Sequence, residues 1–124
     1  MASPRLGKVQ LQIMQVLWQK GQATAREITE ELSRDTPIAH STVQTLLRKM
    51  EAKGAVRHDT VDRVFVFKPM YQEDEVATTA TRDLLSRVFN SSVSGLVAHL
   101  LKHEKISAEE LQRLRKLIEE ADQS

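Results

Sequence analysis

Residues 40–54 read His-Ser-Thr-Val-Gln-Thr-Leu-Leu-Arg-Lys-Met-Glu-Ala-Lys-Gly. Val43, Leu46, Leu47 and Met50 fall at i, i+3, i+4 and i+7, which is one buried stripe of an amphipathic helix. Ser41 or Thr42 is placed to cap its start, and Gly54 to take the left-handed conformation that ends it. The opposite face carries Thr42, Gln44, Thr45, Arg48, Lys49 and Lys53, with Glu51 as its one acid. Hydroxyls and cations suit phosphates, and an amide or guanidinium suits base edges, so this face fits a groove of duplex DNA. The plainer reading is a solvated helix face with cations near its C-terminus. The flanking segments decide between the two.

Upstream, Leu6, Val9, Ile13, Val16 and Leu17 recur at helical spacing. They predict a first helix over residues 6–20, closed by Gly21 and preceded by a short disordered lead, residues 1–5. Trp18 is expected as a core anchor, with a base-stacking platform as the alternative. Thr24-Ala25-Arg26-Glu27 is a capping box, so a second helix opens at Thr24 and runs to about Ser33 with Ile28 and Leu32 inward. Thr36-Pro37 breaks the chain, because proline disfavours a helical residue before it. Helix, short helix, turn, helix is the helix-turn-helix layout. In it the last helix enters the major groove with its N-terminal part foremost, here Ser41, Thr42, Thr45 and Arg48.

Downstream of Gly54 the period changes to that of strands. Residues 55–58 and 64–68 are expected to pair as a hairpin with residues 59–63 at its tip, making a wing. Arg57, His58 and Arg63 are its candidates for phosphate or minor-groove contact. Solvated hairpin charges are the alternative.

Residues 71–124 read as helices throughout: 73–89 with Val76, Ala80, Leu84, Leu85 and Val88 inward, then 94–103 with Leu96, Val97, Leu100 and Leu101. Asn90-Ser91-Ser92 separates these two. A last helix opens on a second capping box at Ser107 and carries Leu111, Leu114, Leu117 and Ile118. Three helices are too few to bury that much leucine in one copy, so pairing with a second copy is expected. The fold class is therefore mainly α. A winged helix-turn-helix domain, 1–70, is followed by an all-helical dimerisation domain, 71–124.

The charge balance agrees with that division. The whole chain is +1. Residues 1–70 hold 11 Lys and Arg against 7 Asp and Glu, and residues 71–124 hold 7 against 10. The first part, at +4, suits a polyanion, and the second, at −3, does not. No apolar run reaches the roughly 18 residues of a membrane span, and no signal-peptide pattern opens the chain, so a cytoplasmic protein without membrane insertion is expected. With no cysteine there is no disulfide, thiolate zinc site or cysteine nucleophile. No phosphate loop or nucleophile elbow is present, so neither an enzyme nor a cofactor is expected. His99 and His103, four apart, are spaced to share a metal. The plainer reading leaves His103 exposed and His99 at the edge of the dimer contact, and no metal is expected.

Ile13-Met14-Gln15-Val16-Leu17-Trp18, Thr24-Ala25-Arg26-Glu27-Ile28 and Ser41-Thr42-Val43-Gln44-Thr45-Leu46-Leu47-Arg48-Lys49-Met50 through Lys53-Gly54 together resemble the penicillinase-repressor (BlaI/MecI) family of winged-helix regulators, to which the copper-responsive CopY repressors also belong. The resemblance continues more weakly through Phe89-Asn90-Ser91-Ser92, Leu96-Val97-Ala98 and residues 107–118. It implies a homodimer that represses transcription from a palindromic, double-stranded operator, with the helices after the wing as the dimerisation domain. It also implies, for the β-lactam-responsive members, a membrane sensor protease and cleavage of an Asn-Phe bond in the second helix of that domain. The corresponding pair here is His99-Leu100; the flanking residues match and these two do not. The copper-responsive members carry a cysteine-rich tail that this chain lacks. Asp62 stands before Arg63 where Gly-Arg is common in the family, and an acid there opposes phosphate. A winged-helix protein–protein module without DNA binding is the alternative reading.

Overall fold

A computed structural model describes residues 5–124 of the chain. The expected lead at residues 1–5 lies almost wholly outside the described residues. The order of elements is α1 (Lys8–Lys20), β1 (Ala23–Thr24), α2 (Ala25–Leu32), α3 (His40–Ala52), β2 (Val56–Val61), β3 (Val64–Pro69), α4 (Glu73–Val88), α5 (Val93–His103) and α6 (Ala108–Asp122). By packing, the chain forms two compact units, one ending at Thr81 and the other spanning Arg82–Ser124.

In the first unit, three helices pack on a small antiparallel sheet of order β1-β3-β2. One core joins them: Ile13, Met14 and Leu17 from α1, Ile28 from α2, Val43, Leu47 and Met50 from α3, and Ala55, Val56 and Phe67 around the sheet. The i, i+4, i+7 residues of α3 are completely buried, while Leu46, at the margin of the stripe, is partly so. Trp18 packs against this core and its indole N–H donates to the Tyr71 carbonyl at 2.8 Å, as an anchor rather than a stacking platform. The segment leading into α4 is thereby tied to α1.

Local chemistry sets the element ends. α1 begins at Lys8, two residues later than its apolar period suggests, because the Gly7 N–H is taken by the Gln10 carboxamide at 3.0 Å. α2 starts on the full capping box: Thr24 Oγ1 accepts from the Glu27 N–H at 3.1 Å, and Glu27 Oε1 accepts from the Thr24 N–H at 2.9 Å. α3 is not capped by Ser41 or Thr42. Its N-cap is Ala39, whose extended backbone offers its carbonyl to the Thr42 and Val43 N–H groups without side-chain help. The two hydroxyl residues therefore lie inside the first turn. Gly54, at φ 80°, closes the other end. Its N–H bonds Glu51 O and the Ala55 N–H bonds Met50 O, the paired bonds of a Schellman turn that swings the chain into β2.

The wing is longer and tighter than expected. β2 and β3 pair from Val56↔Pro69 to Val61↔Val64, leaving Asp62 and Arg63 as a two-residue tip. Both sit at positive φ, 50° and 66°, as a type I′ hairpin requires. The two-residue strand β1, unforeseen, pairs Ala23 with Phe67 and Thr24 with Val66.

In the second unit, Asn90 and Ser91 take left-handed conformations and break the chain after α4. Ser92 caps α5 by accepting from the Gly95 N–H at 2.9 Å, so this helix starts at Val93. Ser107 caps α6 through the Glu110 N–H, but the box is not reciprocated: the Glu110 carboxylate holds Arg113 at 2.7 Å instead. Neither α5 nor α6 has a buried residue. Leu84, Val88, Val97, Leu100, Leu101, Leu117 and Ile118 are exposed, and Leu85, Leu96, Leu111 and Leu114 are partly covered. Among the described residues no helix is long and apolar enough to cross a membrane.

Candidate nucleic-acid interface

Burial of Val43, Leu47 and Met50 fixes the rotation of α3 and turns its polar face outward. Ser41, Thr42, Gln44, Thr45, Arg48 and Lys49 are all exposed. Ser41, Gln44, Thr45 and Arg48 are at i, i+3, i+4 and i+7 and share one stripe, with Thr42 and Lys49 on the next. The Thr45 hydroxyl donates to the Ser41 carbonyl at 3.0 Å, which commits its proton and leaves its lone pairs and methyl group outward. A methyl group there suits the C5-methyl of thymine. Arg48 has no ion-pair or hydrogen-bond partner among the described residues.

The wing divides its charges between two faces. Arg57 lies on the sheet face carrying Asp59 and Lys68, and His58 on the other, because side chains alternate along a strand. The Lys68 ammonium, 2.9 Å from Asp59, holds that carboxyl below the ordinary carboxylate range and is itself neutralised. His58, a wing candidate for phosphate in the sequence, turns its Nδ1 to the recognition helix instead of to solvent. Its ring donates to Glu51 at 2.8 Å and stacks on Phe65 with centroids 3.9 Å apart. Glu51, the one acid of the polar face, is thus occupied on the wing side of the helix.

Arg48, Gln44 and Arg63 come together around a cleft of about 540 Å³ between α3, the first turn of α2 and β3. Arg57 does not join them. Two further residues line it that the sequence reading passed over, Arg26 and His40. The His40 Nδ1–H donates to Thr29 Oγ1 at 3.1 Å, because the hydroxyl's own proton is given to the Ala25 carbonyl at 2.7 Å. Arg26 stands in the first turn of α2, where the helix dipole disfavours a cation. A cation at that position is the one feature of the sequence that sets Arg26 apart.

A recognition helix with an outward polar face, backed by a three-stranded sheet with a hairpin wing, defines a winged helix-turn-helix protein. The chain belongs to the penicillinase repressor family, whose model matches residues 6–120. It is 29% identical over 117 residues to the penicillinase repressor of Bacillus licheniformis, covering 94% of this chain and 91% of that protein. It is 28% identical over 120 residues to the transcriptional regulator BlaI of Mycobacterium tuberculosis, covering 95% and 86%. The solution structure of monomeric B. licheniformis BlaI in complex with the blaP half-operator matches 60% of this chain and 93% of that one, at 32% identity and a TM-score of 0.53. The family resemblance carried by residues 13–18, 24–28 and 41–54 is therefore borne out.

Proposed function

We propose that the chain is a transcriptional repressor that binds a palindromic operator as a homodimer. The observation that carries this is the outward face of α3, with Arg48 unpaired beside Gln44 and Thr45, on a fold whose B. licheniformis relative has been solved on a half-operator. Ser41, Thr42, Gln44, Thr45, Arg48 and Lys49 then serve the major groove, and Arg57 and Arg63 the flanking backbone. The division of labour is 1–70 for DNA and 71–124 for dimerisation. Leu84, Leu85, Val88, Leu96, Val97, Leu100, Leu101, Leu111, Leu114, Leu117 and Ile118 supply an apolar surface that a second copy would cover. Two-fold symmetry in the protein matches two-fold symmetry in the site. Such a repressor works in the cytoplasm, beside its gene. Relief through cleavage at His99-Leu100 by a membrane sensor protease rests on the family resemblance alone. The bond lies within helical α5, which would have to unwind first.

The test is a mobility-shift assay of the full chain on the promoter region of its own gene. Binding at low salt that falls steeply as salt rises supports the proposal, because phosphate neutralisation releases counterions. Absence of a shift at low salt overturns it and favours a protein–protein module.

A further inference from the structure

The cleft beside the recognition helix holds more apolar surface than a sugar–phosphate backbone can use. Its floor is Leu47 and Phe67, both buried, and its wing wall is Val64 and Phe65, which remain 48% and 51% exposed. Phe65 spends one ring face on His58. Over this floor stand three guanidiniums, Arg26, Arg48 and Arg63, none with a partner among the described residues. The one acid in the lining, Glu51, is occupied by His58 through both its backbone and its ring N–H. The cleft is therefore cationic at the rim and aromatic at the base. Its volume lies in the roughly 300–1,000 Å³ range of sites for small organic ligands.

Phosphate alone satisfies the rim and leaves the floor wet. A purely apolar ligand covers the floor and blocks three cations from water. An aromatic body bearing a carboxylate answers both, with the ring against Phe65, Phe67 and Leu47 and the carboxylate in a guanidinium fork. We propose that this cleft is a binding site for amphipathic aromatic carboxylates, and that such a ligand competes with the operator. Arg48 and Gln44 belong to both surfaces, so an occupant that holds them withdraws them from DNA. The competition rests on the operator-binding reading; the ligand chemistry does not.

The experiment uses 2-naphthoate as probe and its neutral counterpart 2-naphthalenemethanol as control, on the ¹⁵N-labelled full chain. Naphthoate is expected to shift the amides of residues 24–26, 40–51 and 63–67. The neutral control is expected to bind about tenfold more weakly, because it forms no charge-assisted hydrogen bonds. Arg63→Ala is expected to remove that preference, and Phe65→Ser to weaken both compounds. In the mobility shift, the apparent operator Kd is expected to rise in proportion to naphthoate once its concentration exceeds its own Kd. Shifts confined to the leucine-rich α5 and α6, or equal binding of acid and alcohol, overturn the site. Naphthoate bound in the cleft with operator affinity unchanged overturns the competition. The mobility shift without naphthoate separates either failure from failure of the operator reading.

Discussion

The imidazole of His58 on the wing and the carboxylate of Glu51 in the last turn of the recognition helix are joined at two points. The ring Nδ1–H lies 2.8 Å from both carboxylate oxygens, and the His58 backbone N–H donates to Oε2 at 3.2 Å. Phe65 stacks on the other side of the ring. Wing and recognition helix are thus held at a set spacing by a pair that neither element makes alone.

Glu51→Ala is expected to lower the stability of the winged helix by about 1 kcal/mol, read as a shifted urea midpoint at unchanged slope. Both side chains are about a third exposed, which keeps the effect small. A double-mutant cycle with His58→Ala is expected to give about 0.5–1 kcal/mol of coupling. Additive single effects would show that the pair holds nothing together.

Arg48 and Lys49 are adjacent in sequence but on different stripes, and they are expected to fail differently. Arg48→Ala should weaken operator binding by about 1–3 kcal/mol and relax base preference, if its guanidinium reads an edge. Lys49→Ala should weaken all sequences alike and reduce the salt slope by about one. Fluorescence anisotropy on operator and scrambled duplexes across a salt series distinguishes the two. Identical behaviour of both variants contradicts the division.

The tip residues Asp62 and Arg63 both hold positive φ without a glycine between them. Asp62→Asn keeps a short polar side chain that tolerates this conformation and removes the charge that opposes phosphate. Stability is expected to stay within about 0.5 kcal/mol of the parent, and operator affinity to rise. Lower affinity would mean that the acid holds the wing in place rather than hindering it.

The parts of the fold written in a strong period were legible. The stripe of α3 and its terminal glycine, the capping box of α2 and the change to strand period after Gly54 all stand in the structure. What was missed depends on tertiary company. β1 has two residues and exists only because Phe67 and Val66 lie beside it. The tip is narrower than the sequence predicts: Asp62-Arg63 lacks the glycine that marks a type I′ turn. Ser41 and Thr42 looked like caps, but the cap belongs to the Ala39 carbonyl, which no side-chain preference announces. Nothing in the linear order brings His58 to Glu51. Of the candidate interface, the outward face of α3 could be read from burial of its opposite face, whereas Arg26 entered only when α2, α3 and β3 met around a cleft.

The helices from Arg82 onward leave Leu117 and Ile118 60% and 64% exposed on α6. On the proposed homodimer, Leu117→Glu is expected to shift sedimentation of the full chain from dimer to monomer, since a carboxylate buried in an apolar contact loses its hydration. Affinity for an intact palindrome is then expected to fall while affinity for an isolated half-site holds. A variant that remains dimeric would place the contact elsewhere on these helices.

The capping box of α2 makes a prediction about acid. Hydrogen bonds to Glu27 from the backbone and then the side chain of Thr24 hold its carboxyl below the ordinary carboxylate range. A group whose pKa is depressed on folding contributes stability above its unfolded value, about 4.3 for Glu, and loses it as pH falls through the folded value. Glu27→Gln keeps an acceptor but not the charge. The difference in stability between parent and variant is therefore expected to be full at neutral pH, to begin to fall below the unfolded value and to vanish once pH has passed the folded value. Thr24→Ala removes the partner and is expected to cost about 1 kcal/mol while flattening the same limb. Urea unfolding from pH 7 to pH 3 reads both. A gap between parent and Glu27→Gln that widened toward acid would carry the wrong sign for a depressed carboxyl, and the box would then owe its stability to the hydroxyl alone.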